Sequence, residues 1–148
     1  MKDFFSNDYI VDKPIKGAVN FVNKSKEVGF EIIYLTGRFE SMRKGTIENL
    51  EENNFPIKDK NKSLIMKPSD EMTDHEFKHI AMEEIKKYGN ILAGFDNEPI
   101  NANIFKEHLP NSQIFFVETN HSLNPPNLKD DIHTIINFET KNLLDLLY

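Results

Sequence analysis

Short apolar runs alternate along the chain with longer stretches of helical spacing. Glu31-Ile32-Ile33-Tyr34-Leu35, Ser63-Leu64-Ile65-Met66, Ile91-Leu92-Ala93-Gly94-Phe95 and Gln113-Ile114-Phe115-Phe116-Val117 are the clearest runs. Continuous apolar runs of this length, bounded by Gly, Pro, Asn or Asp, predict strands covered on both faces. Ile132 to Phe138 predicts a short edge strand. Between these runs the apolar period changes to that of a helix. Pro14 opens the first helix, with Ala18, Val19, Phe21, Val22 and Val28 as its stripe and Gly29 as its stop. A second covers about 39–53 through Phe39, Met42, Thr46, Ile47 and Leu50; Gly45 in its middle predicts a close packing contact there. Thr73-Asp74-His75-Glu76 has the form of a capping box and opens a third, with Phe77, Ile80, Ala81, Ile85 and Tyr88 inward and Gly89 at its end. A fourth covers about 99–108, and Thr140 to Tyr148 predicts a terminal amphipathic helix. Residues 1–13 read as irregular, and 119–131, with Asn124-Pro125-Pro126-Asn127, as a loop.

This alternation predicts an α/β fold with a doubly wound sheet of four or five parallel strands. The 148 residues form one expected domain, an irregular segment 1–13 and a core 14–148. A net charge of −6 and the absence of a basic run argue against a nucleic-acid surface. There is no cysteine, so disulfide and thiolate-metal chemistry are excluded, and a reducing compartment, the cytoplasm, is expected. No run approaches the roughly 18 apolar residues of a membrane span, and no signal sequence is visible at the N-terminus.

Candidate chemistry gathers at two strand ends. The first run passes into Thr36-Gly37-Arg38, and the third into Asp96-Asn97-Glu98-Pro99. Ligands of open α/β sheets bind at the carboxyl ends of strands. A hydroxyl at one such end and a carboxylate at another are parts of a Mg²⁺-dependent phosphoryl-transfer site. Each residue also has a plain alternative. Thr36 can bond its own backbone. Arg38 is either an anion contact or a surface residue. Lys78 is a helix-surface lysine by default, and Asp96 can cap the following helix.

Three segments in order, Tyr34 to Arg38, Glu76-Phe77-Lys78 and Gly94 to Asn101, resemble the haloacid dehalogenase-like (HAD) hydrolase superfamily, most closely its acid-phosphatase-like members. Asp12-Lys13-Pro14-Ile15-Lys16-Gly17-Ala18, Arg43-Lys44-Gly45-Thr46, Leu50 and Phe55-Pro56 extend the likeness over about residues 4–117. The resemblance implies a Rossmann-like fold and Mg²⁺-dependent hydrolysis of a small phosphorylated molecule through an aspartyl-phosphate. Thr36, with Gly37 and Arg38, would bind the phosphoryl group. Lys78 would offset charge on the nucleophile and the transferring group. Asp96 would hold Mg²⁺ with help from Asn101.

The family's first motif, D-x-D at the end of the central strand, occurs nowhere in this chain; Asp3, Asp8 and Asp12 have the wrong spacing and no apolar strand before them. The expectation is therefore a phosphatase domain lacking its nucleophile and its central strand: a truncated frame, with any signal peptide also lost, or a protein without catalysis. The alternative is a non-catalytic module that binds a phosphate ligand or a protein. Strands 31–35 and 91–95 would flank the missing strand. Either they pair directly or their apolar edges lie open, which predicts marginal stability or self-association.

His75-Glu76-Phe77-Lys78-His79 matches H-E-x-x-H, the zincin motif, with Glu83 one turn further on. Lys78 inside the motif and the inward Phe77, Ile80 and Ala81 favour a solvated helix face over a zinc metalloprotease. His108, His121 and His133 read as single surface residues. Phe4, Phe5 and Tyr9 either line a substrate entrance or cover the sheet.

Overall fold

The computed structural model describes residues 14–147. Asp3, Phe4, Phe5, Asp8, Tyr9 and Asp12, and the expected irregular segment that holds them, lie outside the described residues. The elements run α1 (Ala18–Glu27), β1 (Tyr34–Phe39), α2 (Arg43–Glu52), β2 (Leu64–Lys67), α3 (Asp74–Lys86), β3 (Ala93–Asp96), α4 (Pro99–His108), β4 (Gln113–Val117) and β5 (Ile132–Ile135). All strand pairs are parallel. The predicted α/β class with parallel strands is therefore the observed one.

Strand alternation divides the core between two faces. Phe115 and Val117 of β4 pack with Phe21 and Val22 of α1, Tyr34, Leu64, Met66, Phe138, Leu143 and Leu147. Ile114 and Phe116 of the same strand pack on the opposite side with Leu35, with Phe77, Ala81, Met82 and Ile85 of α3, and with Ala102, Ile104 and Phe105 of α4. Both faces of β4 are covered, which is why its run is apolar throughout rather than alternating.

Among the described residues the strands form two ladders, β1-β2 and β3-β4-β5. β1 and β3 do not pair with each other. A cavity of about 380 Å³ lies between them, walled by Ile32, Ile33 and Leu35 on one side and Ile91, Ala93 and Phe95 on the other. The wall stops, in sequence, one residue short of Thr36 and of Asp96.

Several boundaries differ from the sequence reading for local reasons. α1 begins at Ala18 rather than Pro14, because Gly17 takes φ 82° at its N-cap. A Cβ at Gly17 would stand 2.8 Å from the Phe138 carbonyl carbon, so only glycine fits. The helix ends as expected at Gly29, in a Schellman arrangement with Gly29 N–H on Lys26 O at 3.0 Å and Phe30 N–H on Ser25 O at 3.0 Å. β1 starts at Tyr34, three residues late, because β2 first meets it there: Tyr34 pairs with Leu64. Thr36-Gly37-Arg38 thus lies inside the strand rather than after it. β5 stops at Ile135, and beyond it Phe138 N–H turns away to Lys16 O. The expected terminal helix is absent from the described residues. Asn142 has φ 63°, and only a 3-10 turn at Leu144–Leu147 follows. A Cβ added at Gly45 would meet nothing within 4 Å, so the expected close contact does not exist.

Candidate functional site

β3 ends on Asp96, and α4 begins at Pro99, so one short turn separates the strand from the helix. The carboxylate ties this turn together, with Asp96 Oδ1 accepting from the Glu98 N–H at 2.9 Å. Its other oxygen, Oδ2, stands 3.4 Å from Lys78 Nζ, and both side chains are 1% exposed. The default for a helix lysine is solvent, but Lys78 lies on the α3 face that buries Phe77, Ala81 and Met82. Its ammonium also sits 5.9 Å from the centre of the Phe105 ring. Burial works against charge on Asp96. Surrounding positive charge, that of Lys78 included, and the Glu98 N–H outweigh it and hold the carboxyl below its usual range.

The turn after β3 and the first turn of α4 add neutral oxygens. Asn97 Oδ1 and Asn101 Oδ1 are buried without a protein hydrogen-bond partner. An orphaned buried amide oxygen costs about 1–3 kcal/mol, and a cation satisfies it. Asp96, Asn97 and Asn101 carry side-chain oxygens, the donor type that Mg²⁺ takes. The donor types of Asp96 and Asn101, the residues expected to hold a metal, are chemically compatible with that ion.

Thr36, Gly37 and Arg38 are buried in β1. Thr36 Oγ1 accepts from the Arg38 N–H at 3.2 Å, which is the plain backbone role open to it. Arg38 is 3% exposed, and its Nη1 donates to Thr46 Oγ1 of α2 at 3.2 Å, so its guanidinium is engaged with that helix. Gly37 meets the N-terminus of α3, where a Cβ would stand 2.6 Å from Asp74 Oδ1. Asp74 and Lys78 are four residues apart on one helix face. The fold thus joins Lys78 directly to Asp96, and brings β1 to the same helix one turn earlier.

Residues 7–97, more than half of the chain, match the model of the HAD superfamily, subfamily IIIB (acid phosphatase). The chain belongs to this family. Among solved structures it is similar to D,D-heptose 1.7-bisphosphate phosphatase from B. bronchiseptica, complexed with magnesium and phosphate, at 7% identity and a TM-score of 0.60 over 90% of this chain and 86% of that one. That likeness shows the fold. A search of curated proteins found no match.

Two charged groups of this HAD domain are not among the site residues expected from the sequence. Glu98 is 6% exposed, and both of its oxygens accept from the Ser122 N–H at 3.2 Å, which anchors the loop after β4 to the Asp96 turn. Its signal was present, a carboxylate just before Pro99 at a helix start. Lys67, at the end of β2, pairs with Asp74 at 3.0 Å beside Gly37. Nothing in the local sequence announces that contact, which joins residues of a strand and the next helix.

The zincin reading loses its parts. Glu76 closes the capping box on the Thr73 N–H, as the sequence predicted. No three-residue metal-capable group among the described residues includes His75. His79 instead meets His108, at 3.0 Å. His108 therefore does not stand singly, nor does His133, which stacks on Phe115 at 4.8 Å and contacts Gln113 Oε1 at 2.7 Å. No helix among the described residues is long and apolar enough to cross a membrane.

Proposed function

We propose that this HAD domain binds a small phosphorylated molecule with Mg²⁺ through Thr36 of β1, Lys78 of α3 and Asp96 at the end of β3, and that its 148 residues do not by themselves perform aspartyl-phosphate chemistry. The observation that carries the reading is the buried Lys78–Asp96 pair at the end of β3. A cation and an anion withdrawn together from solvent are costly to maintain for stability alone, and perturbed groups of this kind mark functional sites. Thr36 and the backbone N–H groups of β1 would meet phosphoryl oxygens, and Lys78 would offset their charge. Asp96 with Asn101, and Asn97 beside them, would hold Mg²⁺, which supplies further charge neutralisation on the phosphate. No D-x-D is present among the residues to supply a nucleophile and its acid/base partner.

Support for the phosphate ligand comes from family membership, and the solved relative binds magnesium and phosphate. Calorimetry with inorganic phosphate or vanadate tests it: Mg²⁺-dependent binding is expected, lost in Thr36→Ala and Asp96→Asn. With Mg²⁺ present, p-nitrophenyl phosphate should remain unhydrolysed. Turnover at ordinary enzyme rates would overturn the non-catalytic part of the proposal; no phosphate binding by the folded protein would overturn the ligand.

A further inference from the structure

On the outer side of the same helix pair, away from the Asp96 turn, α3 and α4 meet a second time through polar groups. His79 Nδ1 and His108 Nε2 are 3.0 Å apart, with ring centres 5.2 Å apart and the rings nearly edge-on. Glu107 supplies a third donor, and the ligating atoms of the three residues all lie within 4.8 Å of one another. Glu83, one turn beyond His79, places Oε1 3.8 Å from the other ring nitrogen of His108. The same oxygen takes Lys86 Nζ at 3.3 Å.

We propose that His79, His108 and Glu107 bind a transition-metal dication of the zinc class, which clips α3 to α4. Three features of the geometry support it. First, two imidazole nitrogens from different helices stand 3.0 Å apart. Tetrahedral zinc with Zn–N of about 2.0–2.1 Å places its nitrogen ligands about 3.3–3.4 Å apart. The observed pair needs to open by only a few tenths of an ångström, and the exposed His79 is able to do so cheaply. Second, the carboxylate of Glu83 stands 3.8 Å from the far nitrogen of His108, so a small side-chain rotation brings it onto the ring N–H, where it would favour the tautomer that leaves Nε2 to ligate. Third, the donors differ in kind from those at Asp96. Two imidazoles and one carboxylate suit Zn²⁺, Ni²⁺ or Cu²⁺, whereas Mg²⁺ prefers oxygen alone. The site is also open to arriving ions: His79 and Glu107 are exposed, and the His108 side chain is 22% exposed. Water completes the coordination.

The clip has a structural consequence. His79 follows Lys78 on α3, and His108 closes the helix that Asp96 precedes. A bound ion therefore braces, from outside, the two helices whose inner sides frame the Lys78–Asp96 pair.

Chelator-treated protein titrated with Zn²⁺ alone in a calorimeter tests the site. One ion per chain is expected, with a higher Tm and with Co²⁺ giving the visible absorption of a tetrahedral site. His79→Ala and His108→Ala should each weaken binding by roughly a hundredfold or more, and Glu83→Gln by about tenfold. His75→Ala should leave it unchanged, and millimolar Mg²⁺ should not compete. His75, His79 and Glu83 are exposed and His108 is partly buried, so urea midpoints without metal should stay close to the wild type and show that the variants fold. Zinc binding that survives His79→Ala and His108→Ala, or that is lost with His75→Ala, overturns the proposal. So does the absence of binding by wild-type protein at micromolar concentrations.

Discussion

Lys78 and His79 are neighbours in the sequence, and each joins α3 to the α4 side of the molecule through one polar contact. The settings differ completely. Lys78 reaches Asp96 at 3.4 Å with both side chains 1% exposed. His79 reaches His108 at 3.0 Å in an exposed setting. By distance alone the histidine contact looks the stronger. Burial reverses that order, because the cost of losing a partner depends on whether water can replace it. The inner contact therefore dominates stability, while the outer one is free to exchange its partner for an ion.

The largest effect should come from breaking the inner contact. Lys78→Ala leaves a buried carboxylate and Asp96→Ala a buried ammonium, and each should cost about 3–5 kcal/mol. Denaturant unfolding reads this directly. The double substitution Lys78→Met with Asp96→Leu should recover most of the loss, since neither charge of the pair then remains. A double variant as unstable as either single one would show that the two residues matter for reasons other than their pairing. Acid should act on the same pair. The folded protein holds the Asp96 carboxyl below the ordinary aspartate value of 3.8. Its contribution is therefore present above that pH and is lost as pH falls through the lower folded value. Asp96→Asn should remove that part of the acid limb.

A smaller effect is expected at the solvent-exposed start of α3. Thr73 accepts from the Glu76 N–H at 3.3 Å, and Glu76 returns the bond to the Thr73 N–H at 3.2 Å. Both residues are exposed, so water partly replaces what is lost. Thr73→Ala should cost about 1 kcal/mol. A loss as large as that of Lys78→Ala would contradict the ranking by burial.

Helix α3 also shows what is legible in a sequence. Its start is readable because a capping box is a local pattern that needs only four residues. Its inward Phe77, Ala81 and Ile85 are readable from the helical period. The same pattern puts Ile80 and Tyr88 inside, yet they are 57% and 43% exposed, while Lys78 is 0% exposed. Residue type points the wrong way at all three, because the partner that draws Lys78 inward lies 18 residues away on β3. The family order of Thr36, Lys78 and Asp96 is what marks this lysine as different from its neighbours. Strand existence is likewise legible, since continuous apolar runs mark β1 to β4. The start of β1 is not, because it depends on where β2 offers a ladder partner. The His79–His108 contact is invisible for the same reason: it joins two helices through residues 29 positions apart.

The smallest expected effect is the most discriminating for the outer contact. Without metal, His79→Ala removes one hydrogen bond between groups that water reaches, and should change stability by no more than about 0.5 kcal/mol. Excess Zn²⁺ should separate the two proteins, because a ligand that binds only the folded state stabilises by RT ln(1 + [L]/Kd). At a hundredfold excess over the wild-type dissociation constant that is about 2.7 kcal/mol, close to the scale of the buried pair. His79→Ala should gain almost none of it. The two contacts of α3 would then differ in kind. The inner one is strong because water is kept out, and the outer one becomes strong only when an ion comes in. A large metal-free loss in His79→Ala would instead mean that the exposed histidines already carry structural weight, and the contrast between the two faces would fail.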